Sequence, residues 1–108
     1  MANNHKLRRF RKVAARRQRH RCHYCDVPMW SKNPVQFAEL HGLRIEDAGH
    51  FQCTAEHVVA RRDGGIEHKN IVAACRYCNI TRHAAEAPLA ADLYRETVLR
   101  DTSWLTRR

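Results

Sequence analysis

Four of the five cysteines stand in two C-x-x-C pairs, Cys22/Cys25 and Cys75/Cys78. Each pair sets two soft thiolates on one tight turn, and two such turns can close around Zn²⁺ without geometric strain. Residues 26–74 separate the pairs, more than ordinary zinc-ribbon spacing, so an inserted segment is expected between the knuckles. Four protein ligands leave no open position, so this metal would staple the fold and do no catalysis. Incidental free thiols or a redox pair are the competing readings. Cys53 is left over and reads as a small buried apolar residue. His23 lies inside the first knuckle, but the four cysteines already fill the coordination shell. A second set of reactive types follows: Glu56-His57, then Asn70, then Asn79 directly behind the second pair. Each has a bland alternative, a surface pair on a strand or a turn residue at a strand entrance. Adjacent strand residues also point to opposite faces, so Glu56 and His57 can share a site only if the strand bends or one acts from the side.

The elements that must position these groups are short. The 108 residues suffice for one domain. Three Phe, three Tyr and two Trp make a thin core, and a core this small usually needs a staple. No apolar run approaches the ~20 residues that cross a bilayer. No apolar segment follows the basic N-terminus, so no secretory signal is read and a cytoplasmic location is expected. A disulfide framework is correspondingly not expected. Residues 6–20 contain neither Gly nor Pro and read as a helix with a narrow apolar stripe, Leu7, Phe10 and Ala14 with Val13 beside them. Asn33-Pro34 should cap a helix ending near His41 at Gly42, with Val35, Phe37, Leu40 and Trp30 turned inward. Residues 53–59 and 71–75 read as strands joined through an Asp63-Gly64-Gly65 turn. A helix is expected over 76–87. Pro88 breaks it and opens another to about residue 100, its apolar face made by Leu89, Leu93, Val98 and Tyr94. The expected plan is α+β: a basic arm and helix at 1–21, knuckles and core at 22–87, and a C-terminal helix and tail at 88–108.

The charge is lopsided. The net charge of +9 sits within residues 1–25, which hold nine basic and no acidic side chains; the remaining charges cancel. Arg8, Arg9, Arg11, Lys12, Arg16 and Arg17 make an Arg-rich block suited to phosphate backbones. A solvated arm is the plainer alternative. An anionic membrane surface fits less well, because the apolar side is mostly Ala and carries no Trp anchor.

The run TAEHVVARRDGGIEHKNIVAACRYCNITRH, together with Cys22 and Cys25, resembles the HNH endonucleases, the ββα-metal nucleases with a four-cysteine structural zinc. Their pattern is a C-x-x-C, an acid-His pair on the first strand, a Gly-rich turn, Asn-aliphatic-aliphatic on the second strand, and C-x-x-C-Asn opening the helix. The match covers about a third of the chain. The resemblance implies that His57 is the general base for the attacking water, that Glu56 and Asn79 hold a catalytic divalent metal, and that Asn70 brackets the loop behind the base. A neutral imidazole at pH 7 suits the first role. His83, one helical turn after Asn79, matches a second metal-binding His of some members; a surface His is the equal alternative. Arg82 matches a basic position that could clamp a phosphate. The implied reaction is one-metal phosphodiester hydrolysis leaving 5′-phosphate and 3′-hydroxyl ends.

Two departures stand out. The acid is Glu rather than the usual Asp, and the third motif position is Asn rather than His. A carboxylate and an amide oxygen hold Mg²⁺ or Mn²⁺ loosely; His83 would shift preference towards Zn²⁺, Ni²⁺ or Mn²⁺. The expected partner is double-stranded DNA with low sequence specificity, since so small a chain has little surface for base readout. A zinc-stapled nucleic-acid-binding module without catalysis, or an accessory subunit of a phage or mobile-element DNA-processing assembly, are the alternatives; small stand-alone members resemble bacterial or phage proteins.

Overall fold

The two strand-like runs pair with each other. In the computed structural model, which describes residues 4–59 and 70–101, β1 (Cys53–His57) runs antiparallel to β2 (Ile71–Cys75). Cys53 lies opposite Cys75, and His57 opposite Ile71. Opposed residues share a face. Cys53, Ala55 and His57 therefore stand on one side with Ile71, Ala73 and Cys75, and Thr54 and Glu56 on the other with Val72 and Ala74. β1 stops at His57, two residues before its expected end, and Val58 and Val59 leave the ladder. The Gly64-Gly65 turn, Arg61, Arg62 and His68 lie outside the described residues.

A two-stranded ribbon is marginal in water and needs cover. One face receives α4 (Arg76–Ala84), which follows β2 without a loop and bonds Thr54 and Glu56 through Asn79 and His83. The other receives α1 (Asn4–Arg17), which packs across both strands with Arg11 beside Cys53. Ala14 and Ala15 are buried at this contact, where small side chains let helix and ribbon come close. The inward face of α1 is Leu7, Phe10, Arg11, Ala14 and Ala15, continued by Gln18; Val13 is exposed. Gln18 closes the outer edge of β2. Its Nε2 donates to the Ala73 carbonyl at 2.8 Å, and its Oε1 accepts the Ala73 N–H at 3.0 Å. The helix ends three residues short of expectation because Arg19 and His20 turn left-handed, with φ of 56° and 60°, to swing the chain into the first knuckle.

The segment between the knuckles holds α2 (Pro34–His41), α3 (Ile45–Ala48) and a 3₁₀ turn, Gly49–Phe51. Asn33 caps α2 by accepting the Gln36 N–H at 3.0 Å, and Gly42 ends it at φ 65°, as its spacing required. Phe37 is buried against Phe51, but Val35 and Leu40 point to solvent, Leu40 being 77% exposed. They were expected inward; α2 lies on the surface and buries one side only. Trp30 is half-buried and donates Nε1–H to the Ala48 carbonyl. After α4, which ends at Ala84 rather than 87, α5 (Ala91–Arg100) starts three residues beyond Pro88. Its inward positions are Ala91, Tyr94 and Val98; Leu89 and Leu93, expected there, are exposed. The result is a small α+β domain, five helices and one ribbon among the described residues, whose core is largely Ala and Cys with Tyr24, Val27 and Met29. No helix among the described residues is long and apolar enough to cross a membrane.

Candidate functional site

The two knuckles meet. The Sγ atoms of Cys22, Cys25, Cys75 and Cys78 all lie within 4.8 Å of one another, and Cys25 and Cys75 are 3.8 Å apart. Four sulfurs about 2.3 Å from a tetrahedral Zn²⁺ stand about 3.8 Å from each other, so the cluster fits that ion. Among the described residues no other His/Cys/Asp/Glu group of three or more converges in this way. Each knuckle folds its backbone N–H groups onto sulfur: Tyr24 and Cys75 donate to Cys22, and Cys78 donates to Cys75. Asp26 takes φ 63° to close the first turn. Four thiolates this close together repel one another. Cys22, hydrogen-bonded by the thiols of Cys25, Cys75 and Cys78, is pushed down in pKa, while Cys75 and Cys78 are pushed up, first by Cys22 and then by Cys25. A dication removes that conflict by holding all four as thiolates. Cys53 is buried apart in the core, its pKa raised by burial, as its strand position suggested. His23 is no ligand. It stacks edge-on against Tyr24, and burial lowers its pKa.

Glu56 lies on the α4 face of β1 and is 2% exposed. Three side chains from two elements surround it. Tyr24, inside the first knuckle, gives its hydroxyl to Oε2 at 2.8 Å; Arg82 gives Nη1–H to Oε2 at 2.8 Å; His83 places Nε2 2.8 Å from Oε1. The Tyr24 phenol is pushed up in pKa by burial first and by the Glu56 charge second. The His83 side chain is 47% exposed, so the Glu56–His83 contact opens to solvent on one side.

Asn79 stands one turn before His83. Its Nδ2 donates to Thr54 Oγ1 at 3.0 Å and to the Ala55 carbonyl at 3.3 Å. The carbonyl can only accept, which fixes the amide's orientation and leaves Oδ1 unbonded among the described residues. Asn70 brackets the backbone just past the strand: Oδ1 accepts the Val59 N–H at 2.7 Å, Nδ2 donates to the Val59 carbonyl, and its own carbonyl accepts the Val58 N–H at 2.9 Å. His57, half-buried, is the last residue of β1. Strand alternation sends its side chain to the face opposite Glu56. The two can therefore meet a common group only over the end of the ribbon.

Two cationic expectations are corrected. Arg82, expected to reach a phosphate, is 7% exposed. Besides Glu56 it donates to the carbonyls of Leu89, His57 and Val58 and to the Tyr24 hydroxyl, so its guanidinium is an internal cross-brace. Arg11 turns inward beside Cys53, with Nε buried and without a hydrogen-bond partner among the described residues. Arg8, Arg9, Lys12, Arg16 and Arg17 do lie exposed on the outer side of α1. Tyr24 was missed by sequence reasoning. An aromatic inside a knuckle signals packing, and nothing in its spacing points the hydroxyl at residue 56.

Comparison with protein-family models, with curated proteins and with solved structures gives no match to this chain.

Proposed function

We propose that this chain is a metal-dependent DNA endonuclease of the HNH type, stapled by a four-cysteine zinc. The observation that carries the reading is the buried Glu56 carboxylate held 2.8 Å from a half-exposed His83 imidazole, with Asn79 one turn away on the same helix. Glu56 Oε1, His83 Nε2 and Asn79 Oδ1 would supply a mixed oxygen and nitrogen donor set suited to Mg²⁺, Mn²⁺, Ni²⁺ or Zn²⁺. Adjacent ligands of an octahedral ion at about 2.1 Å stand about 3.0 Å apart, so the Glu56–His83 spacing needs only a slight opening. When bound, the ion would supply charge stabilisation for the pentacoordinate phosphate and the departing oxygen. The scissile phosphate would lie across the end of β1. His57 would take a proton from the attacking water, approaching from the other face, and Asn70 would hold the backbone beyond it in place. Arg82 already balances the Glu56 charge, so the divalent ion would bind weakly and exchange readily. The exposed cations of α1 would meet DNA phosphates.

A second reading has its own observation. Glu56 and Arg82 form a buried ion pair at 2.8 Å, and such a pair can serve structure alone in a nucleic-acid-binding module. Plasmid nicking assayed across divalent metals decides between them. On the nuclease reading the chain nicks with Mg²⁺, Mn²⁺ or Ni²⁺, and His57→Ala abolishes nicking with zinc content and melting unchanged. DNA binding without nicking in any metal would favour the module.

A further inference from the structure

We infer that Tyr24 is a positioning residue that orients Glu56 for metal binding and so ties the zinc knuckle to the proposed catalytic centre. This rests on the nuclease reading above. The two oxygens of Glu56 are not equivalent. Oε2 accepts from both the Tyr24 hydroxyl and Arg82 Nη1, each at 2.8 Å, while His83 Nε2 stands closer to Oε1, at 2.8 Å, than to Oε2, at 3.1 Å. Two donors on one oxygen leave the other as the atom that turns towards a cation, so Glu56 is set as a one-oxygen ligand.

The geometry of the clamp explains why a knuckle residue is needed. Arg82 and His83 both come from α4 and move with it. Tyr24 comes from the other side. Its position is fixed by its own N–H bond to Cys22 Sγ at 3.3 Å and by edge-on packing against the Tyr94 ring of α5, 4.9 Å between centroids. Tyr24 is fully buried and its hydroxyl is also within 3.2 Å of Arg82 Nη1. The phenol therefore takes one hydrogen bond from the arginine and gives one to the carboxylate. Removing the hydroxyl leaves the carboxylate held from the α4 side alone, and losing a hydrogen bond that orients a metal ligand weakens metal sites by about tenfold or more.

Tyr24→Phe keeps the ring, its stack on Tyr94 and the backbone bond to Cys22. The test is Mn²⁺ binding to the zinc-loaded full chain, read by the loss of the free-ion electron paramagnetic resonance signal, alongside zinc content, thermal melting and plasmid nicking. The expected result is Mn²⁺ affinity lowered about tenfold, with zinc content unchanged and nicking restored by raised Mn²⁺. A purely structural tyrosine would lower the melting temperature and leave the Mn²⁺ isotherm of the folded protein where it was; that result overturns the inference and leaves the nuclease reading standing. Wild-type protein that neither binds Mn²⁺ nor nicks would overturn both.

Discussion

Replacing Arg82 by Gln separates a cross-brace from a phosphate contact. In the folded chain the guanidinium reaches Glu56, the Tyr24 hydroxyl and the carbonyls of Leu89, His57 and Val58. Both charged partners are almost wholly buried, with side chains 7% and 2% exposed. Removing the cation leaves a carboxylate in a poorly solvated site with only Tyr24 and His83 beside it. Breaking a buried pair in this way costs about 3–5 kcal/mol. For a domain near this size each kcal/mol lowers the melting temperature by roughly 4–8 °C, so a fall of roughly 12 °C or more is expected. Thermal melts of Arg82→Gln, Glu56→Gln and the double variant, all zinc-loaded, measure it. The double variant should recover part of the loss, because the two neutral amides no longer strand a charge. An Arg82→Gln protein that melts within a degree or two of wild type, with DNA binding reduced, would refute the brace and restore the phosphate role.

Other outcomes follow from separate contacts. Cys75→Ser should lose the metal and unfold, since the zinc supplies folding free energy to a core of mostly small residues; a folded, zinc-free variant by circular dichroism and metal analysis would exclude the staple. Asn70→Ala removes both side-chain hydrogen bonds to the Val59 backbone and should cost about 1–3 kcal/mol in a denaturant titration; an unchanged midpoint would mean that the bracket holds nothing. Reversing Arg8, Lys12 and Arg16 to Glu together, on the exposed side of α1, should weaken DNA binding and flatten its salt dependence by about 0.9 per lost phosphate contact. A slope identical to wild type would show that the helix does not meet the backbone.

What the residues revealed in advance follows from how local each signal is. The α2 cap at Asn33, its stop at Gly42 and the strand at residues 71–75 depend on neighbours in sequence, and each is where the residue types put it. The four-sulfur cluster was legible despite the long insertion, because each C-x-x-C sets two thiolates on one turn and two such turns suit one metal ion. Leu40 and Leu93 misled because an apolar side chain says nothing of which partner, if any, faces it; single exposed apolar residues are ordinary on a surface. Arg82 misled for the opposite reason. A lone arginine after a knuckle reads as a surface cation, and only the fold shows the buried carboxylate that answers it. Tyr24 was illegible because its partner is in another element, at residue 56.

The same contacts give a physical account of why glutamate suits position 56. An Asp at position 56 would draw its carboxylate back towards β1 by about one carbon–carbon bond, roughly 1.5 Å. The donors stand at 2.8 Å now and come from two sides, Tyr24 from the knuckle and Arg82 with His83 from α4. A withdrawal of that size breaks contact with all of them unless both the knuckle and the helix follow. The knuckle is tied to the four-sulfur cluster, and α4 begins directly after Cys75 and carries Cys78, so neither is free to follow alone. Glutamate spans the distance that the four-sulfur framework sets. The structural and the proposed catalytic centres therefore share one constraint, and the length of the residue-56 side chain is the term that satisfies it.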